Sequence, residues 1–460
     1  MSNKFETFRD PVLSIFQSAV SEVAAKIDAK PNTNARGFEQ GRPQRSASSI
    51  LNELALEIAS AEYNSTQRVT INTNATLTPR ELSKSGITKV CAEMAFRYLK
   101  AMAKGDKVEV ARLVGEYTTS TCDLEWATTL AEYYKYFGTD GNLRPIPYIR
   151  ASDIGPSVIE IKSDARIALV SDWGTGASPA MEVLRNIKAA DPDIFIHLGD
   201  IYYSGTHLEC KNNFLEPINK ILRSDKDIPV FTISGNHDMY CGGIGFYDLI
   251  KTLNKPPLQQ SASFFCLRAA NEKWQILGLD TGLHDYNPAG VSAAITYLEE
   301  DEIEWHCERI REFSGRTILL SHHQLFSAFS PIGPALQGKR SPFNSNLLKA
   351  FNSMNADGKV SAWFWGHEHS LGIYKDFVGL KYGRCIGHGA VPVSVVDKIY
   401  DVFPDLDNAP EMIEGCELKT QGGVYNHGHT ILKFGGETCT AEYYQASLNG
   451  NNLIYREVIN

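Results

Sequence analysis

The sequence predicts a layered α/β fold, and two observations predict it. From about Ala165 onward, short apolar runs alternate with segments of helical spacing, as strands joined by crossover helices do. Each of those runs leads directly into an Asp, Asn or His, which is where such folds assemble sites. A third observation sets the N-terminal third apart: it carries helical periodicity without strand-like runs, so a mostly helical region precedes the α/β part.

Taken in order, residues 11–29 have the apolar spacing of an amphipathic helix at Val12, Ile15, Phe16, Ala19 and Val23. Residues 30–49 turn polar with Pro, Asn, Gly and Arg and read as a mobile linker. Helices are expected again at 50–63, at 79–104, where Thr78 and Glu81 can form a capping box, and at 124–137. Gly and Pro become dense over 141–156, which places the boundary there: residues 1–155 form the helical region and 156–400 the α/β domain. Strands are expected at 167–171, 194–198, 230–234, 317–321 and 360–365, with helices at 180–190 and 293–313. Residues 401–460 read as further strands, a meander over 424–434, 438–445 and 453–458.

Composition excludes several classes. With 43% hydrophobic and 22% charged residues over 460 positions, the chain can bury a large core in two or three domains. A net charge of -9 and the lack of any sustained Lys/Arg block argue against a general nucleic-acid binder. Nine scattered cysteines, an odd number without a C-x-x-C pair, point to reduced thiols and a cytoplasmic protein. Residues 1–29 lack the continuous apolar core of a secretory signal, and no stretch is apolar enough to span a bilayer.

The chemistry sits at the strand ends. Asp172 and Asp200 each follow an apolar strand that buries a carboxylate; a bound cation compensates that charge, while a helix cap or turn is the plainer alternative. Asn236 offers a hard neutral oxygen beside His237 and Asp238. His367 and His369, two apart in an extended Gly-His-Glu-His loop, can face neighbouring ions, or one of them simply packs. His322 and His323 end one strand and point to opposite faces, so only one reaches a given ion. Gly278-Leu279-Asp280-Thr281 reads as one more strand end, and His388 as a loop residue satisfying local backbone groups.

In that order the blocks Asp172-Trp173-Gly174, Gly199-Asp200, Gly235-Asn236-His237-Asp238, His322 and Gly366-His367-Glu368-His369 resemble the calcineurin-like metallophosphoesterase superfamily, over about residues 165–392. Within it the chain is most similar to purple acid phosphatases. Gly174 stands where diesterase-type members carry a ligand His, and Tyr203 keeps the G-D-x-x-Y spacing. The resemblance implies a four-layer α/β/β/α sandwich with two mixed sheets, completed by the C-terminal strands. It further implies two metal ions: Asp172, Tyr203, His369 and bridging Asp200 for the first, Asn236, His322, His367 and Asp200 for the second. A phenolate favours ferric iron at the Tyr203 position; the second ion would be Fe, Zn or Mn. The implied reaction is hydrolysis of a phosphoester, with metal-generated hydroxide attacking phosphorus and His237, oriented by Asp238, assisting the leaving group. His323, Tyr240, Lys339 and Arg340 are further substrate-contact candidates.

The chain departs from the pattern in two places. Gln324 stands where a Pro is expected after the lone His, which leaves His322 and His323 both open as the ligand, and no secretory signal or paired cysteines accompany the motifs. Two other readings stand beside the phosphatase: a phosphodiesterase or nucleotide pyrophosphatase on the same scaffold, and a catalytically silent protein-binding scaffold.

Overall fold

The computed structural model describes residues 136–137 and 144–460, apart from 203, 287–294, 334–338, 394, 396–397, 404–405, 422–423 and 448–449. The helices expected at 11–29, 50–63, 79–104 and 124–137 and the linker at 30–49 therefore lie outside the described residues, except Tyr136 and Phe137, which are helical. Residues 144–460 belong to one compact unit. Among the described residues no helix is long and apolar enough to cross a membrane.

Fifteen strands are described: β1 (Val158–Ile161), β2 (Arg166–Val170), β3 (Ile194–His197), β4 (Val230–Thr232), β5 (Phe265–Ala269), β6 (Trp274–Gly278), β7 (Arg316–Leu320), β8 (Val360–Trp365), β9 (Leu371–Ile373), β10 (Tyr382–Ile386), β11 (Thr420–Gln421), β12 (Val424–Tyr425), β13 (Gly428–Gly435), β14 (Thr438–Ser447) and β15 (Gly450–Ile459). Seven form one sheet in the order β1-β5-β6-β7-β8-β10-β9, and six form another in the order β15-β14-β13-β2-β3-β4. Both are mixed: β6, β7, β8 and β10 run parallel, as do β2, β3 and β4, while β13, β14 and β15 add an antiparallel meander.

Side-chain alternation explains the layering. On β2, Ile167 and Leu169 enter the core between the sheets with Ile196, Phe231, Ile318, Leu320 and Phe364, whereas Ala168 and Val170 face the other way. The outer face of the six-stranded sheet is covered by helices Ser178–Ala189 and Ile244–Leu253, the first burying Ala180, Val183, Leu184 and Ile187 at helical spacing. On the seven-stranded sheet, Leu319, Trp363 and Trp365 pack against helices Glu300–Arg311 and Ser345–Met354. The result is helix, sheet, sheet and helix, with two mixed sheets at the centre.

Arg384 of β10 joins the two sheets. Its guanidinium donates to both Glu457 carboxylate oxygens on β15, at 2.7 and 2.6 Å, and to the carbonyls of Tyr374 and Gly383, while the Tyr443 hydroxyl donates to the same Glu457. Both partners are buried, so the pair is a fully bonded ionic tie rather than a surface contact.

Two expected elements differ. The helix expected over 293–313 begins only at Glu300: residues 295–299 are irregular because Thr296 and Ile295 use their carbonyls on the Asn344 and Asn346 amides, and three acids then open the helix where its dipole favours them. The run expected as one strand over 424–434 is split, since Asn426 donates sideways to Lys419 and β13 starts only at Gly428. Gly278-Leu279-Asp280-Thr281 is a strand end, that of β6.

Candidate metal centre

The carboxyl ends of β2, β3 and β4 in one sheet and of β7 and β8 in the other open onto the same place. Backbone bonds fasten them together: Asp172 N–H to the Gly199 carbonyl (3.1 Å) within the first sheet, and Gly366 N–H to the His322 carbonyl (2.9 Å) within the second. His367 N–H donates across the sheets to Asp172 Oδ2 at 3.0 Å. Three of the gathered residues, Asp172, Asp200 and His367, have left-handed φ of 55°, 73° and 66°. Strain of roughly 1–3 kcal/mol each persists where surrounding structure over-determines it, commonly at a site.

One cluster holds Asn236, His322, His367 and Asp200. His322 Nε2 lies 3.0 Å from Asn236 Oδ1, 3.2 Å from His367 Nδ1 and 3.3 Å from Asp200 Oδ2, and His367 Nδ1 lies 3.1 Å from Asn236 Oδ1. The orientations of these groups are set from behind. His322 Nδ1–H donates to the Leu198 carbonyl at 2.9 Å, which turns the Nε2 lone pair inward. Asn236 Nδ2 donates to the Tyr240 hydroxyl, which turns Oδ1 inward. Tyr240 thus orients Asn236.

His323 resolves differently from His322. Its Nδ1 meets the Thr281 hydroxyl at 3.1 Å and its Nε2 meets Asp285 Oδ2 at 3.0 Å, so both ring nitrogens are engaged. His322 is the histidine of this pair that turns a nitrogen to Asn236 and Asp200, and Gln324 after it does not disturb that.

The second cluster is Asp172, Asp200 and His369, whose donor atoms lie within 4.8 Å of one another. Tyr203 lies outside the described residues. Among the described residues a phenol reaches this cluster from Tyr202, fully buried, whose hydroxyl donates to Asp172 Oδ1 at 3.0 Å and lies 3.1 Å from His369 Nε2. Tyr202 went unnoticed in the sequence because the motif spacing draws attention to its neighbour. Gly174 contacts Ile201: a Cβ here would sit 2.8 Å from the Ile201 Cα, so a histidine does not fit at this position.

Electrostatics follow burial and charge together. Burial opposes the charge of Asp200, yet His322 and His237 hold its carboxyl well below the usual range, and His369 and His322 do the same to a lesser extent for Asp172. Burial would lower His322, but Asp200 and Asp172 push it up to about 9. Burial, then Asp172 and Asp200, push the Tyr202 phenol well above its ordinary value.

His237 is buried at the same place. Its ring centroid lies 4.6 Å from that of Tyr202 and 4.9 Å from that of Tyr240, its Nε2 is 3.9 Å from Asp200 Oδ2, and its backbone N–H donates to Asp200 Oδ1. Asp238, expected beside it as an orienting partner, accepts the backbone N–H groups of Asp200, Ile201 and Gly235, and so fastens the β3 loop to the β4 loop. Lys339 and Arg340 are exposed and engage Asp407 and the Phe403 ring. His388 is buried with Nε2 against the Tyr444 carbonyl, as expected of a residue satisfying backbone. The seven described cysteines are all free thiols.

Residues 165–371 match the family model described as calcineurin-like phosphoesterase, so the domain holding this centre is of the calcineurin-like metallophosphoesterase kind. No curated protein matches the chain. Among solved structures, the chain is similar to GAP50, the anchor in the inner membrane complex of Plasmodium, at 14% identity and a TM-score of 0.43, over 65% of this chain and 89% of that one. It is similar to a dimetal phosphatase from Danio rerio at 11% identity and a TM-score of 0.39, over 63% and 98%. A third is PhoD, at 12% identity and a TM-score of 0.40, over 68% and 73%.

Proposed function

We propose that this domain is a dinuclear metal-dependent phosphoester hydrolase, a phosphatase of the purple acid phosphatase kind. The observation that carries the reading is the convergence of Asn236 Oδ1, His322 Nε2, His367 Nδ1 and Asp200 Oδ2 at mutual distances of 3.0–3.3 Å for the four pairs measured. Lone pairs from two imidazoles, an amide and a carboxylate face one another there, an arrangement that a cation relieves and that packing alone does not favour.

Asn236, His322, His367 and Asp200 would hold one ion; Asp172, Asp200, His369 and a tyrosine phenol would hold the other. Motif spacing assigns the phenol to Tyr203, and contact with Asp172 and His369 favours Tyr202. A hard phenolate suits ferric iron, with Fe, Zn or Mn beside it. When bound, such a pair supplies positive charge to phosphoryl oxygens and makes solvent water acidic enough to act as the nucleophile near neutral pH. The chain's own part is positional. Asp238 locks the Asp200 and Gly235 loops together, Leu198 and Tyr240 aim His322 and Asn236, and His237 hydrogen-bonds the leaving oxygen.

The test is elemental analysis of the purified protein together with hydrolysis of p-nitrophenyl phosphate and its bis ester. Iron, a visible tyrosinate-to-metal band abolished in Tyr202→Phe or Tyr203→Phe, and preference for the monoester are expected. Active, colourless protein holding only divalent ions would refute the ferric assignment, and preference for the diester would favour the phosphodiesterase. Metal-free, inactive protein would leave a binding scaffold.

A further inference from the structure

Asp285 belongs to none of the motif blocks, yet it is buried beside the centre with one carboxylate oxygen that has no partner among the described residues. We propose that Asp285 is a positioning residue for solvent at the Asn236–His322–His367 side of the centre: its Oδ1 accepts a hydrogen bond from a water molecule held there. This inference rests on the metal-centre reading above.

The geometry is built outward from Thr281, at the end of β6. The His323 backbone N–H donates to Thr281 Oγ1 at 3.0 Å, and His323 Nδ1 lies 3.1 Å from the same hydroxyl. A carboxylate only accepts, so the His323 ring proton sits on Nε2 and donates to Asp285 Oδ2 at 3.0 Å, and Nδ1 takes the Thr281 hydroxyl proton. Asp285 is therefore held by a chain of directed bonds and its other oxygen is committed to nothing. A bare buried acceptor costs roughly 1–3 kcal/mol, more when charged, so a donor belongs there.

The donor comes from the centre. His323 lies with its ring centroid 4.5 Å from that of His367, and the Asp285 carboxylate, though burial dominates its behaviour, is within Coulombic reach of His367, His322, Asp200 and His237. Donor atoms of His322, His323 and His367 lie within 4.8 Å of one another, and Asp285 stands outside that group. It thus acts from behind, through water, as a hydrogen-bonded outer carboxylate does in metal sites.

Asp285→Asn isolates the claim. The amide oxygen still accepts from His323 Nε2, preserving the brace, while the free acceptor becomes an NH2 donor. Asp285→Ala removes both. Expected for Asp285→Asn is wild-type thermal melting, about 10–100-fold weaker Zn2+ or Mn2+ binding by calorimetry on metal-stripped protein, and a comparable fall in kcat for p-nitrophenyl phosphate with KM little changed. Unchanged metal affinity and kcat in Asp285→Asn would overturn the proposal. If only Asp285→Ala were impaired, or if Asp285→Asn failed to fold, the role would be structural and the proposal equally overturned. Wild-type protein that neither binds metal nor hydrolyses phosphoesters would instead sink the parent reading, whatever the variants do.

Discussion

Replacing Gly235 by Ala tests how tightly the centre is built. A Cβ at this position would lie 2.1 Å from Asp200 Oδ1, 2.9 Å from Asp200 Cγ and 2.7 Å from the Asp200 backbone nitrogen. Relaxed C···O contacts are about 3.3 Å or longer, so the Asp200 carboxylate must retreat by roughly 1 Å. The backbone cannot share the movement easily, because Asp238 Oδ2 binds the N–H groups of both Asp200 and Gly235, at 2.9 and 2.8 Å. Overpacking of this kind costs about 1–3 kcal/mol, and at ~2–4 °C per kcal/mol for a domain of this size the melting temperature should fall by roughly 2–12 °C. A displacement of ~1 Å in a residue that the proposed function shares between both ions should lower turnover about a hundredfold, well beyond the stability loss. Thermal melting, metal content after dialysis and p-nitrophenyl phosphate hydrolysis read the three effects separately. A Gly235→Ala protein that retained both ions and wild-type turnover would refute the reasoning.

Other perturbations have equally definite outcomes. His237→Ala should lower turnover by about a hundredfold or more while metal content stays intact, since the proposed function gives His237 the leaving group and no ion to hold; equal activity would remove that role. Glu457→Gln leaves Arg384 charged and buried between the sheets without its carboxylate, so unfolding in urea should lose about 3–5 kcal/mol, and a wild-type midpoint would show that the sheets do not depend on this pair. Glu442 supplies a pH dependence: burial opposes its charge, but Lys433, Tyr444 and Arg456 hold its carboxyl below the usual range. Its contribution is complete above the unfolded carboxyl pKa of about 4.3 and is lost as pH falls through the lower folded value. The stability gap between wild type and Glu442→Gln should therefore be widest near neutral pH and close in acid; a gap that stayed constant would contradict the shift.

The sequence by itself determined where the strands lie and which donors end them. A continuous apolar run is a property of neighbours in the chain, so β2, β3, β4, β7 and β8 were all legible, and Asp172, Asp200, Asn236, His322, His367 and His369 could be read at or just beyond their ends. Helix ends were less legible, as at Glu300, where Asn344 and Asn346 take the backbone carbonyls of residues some fifty positions earlier. Only the tertiary structure decided which way each group points. His322 and His323 are adjacent and chemically identical, yet one turns its Nδ1 to Leu198 and the other closes on Thr281 and Asp285, and those partners come from the loops after β3 and β6. The same holds for Tyr202 meeting His369 and for Asp238 binding two loops: direction is set by hydrogen-bond partners that the fold brings in, and no local pattern encodes them.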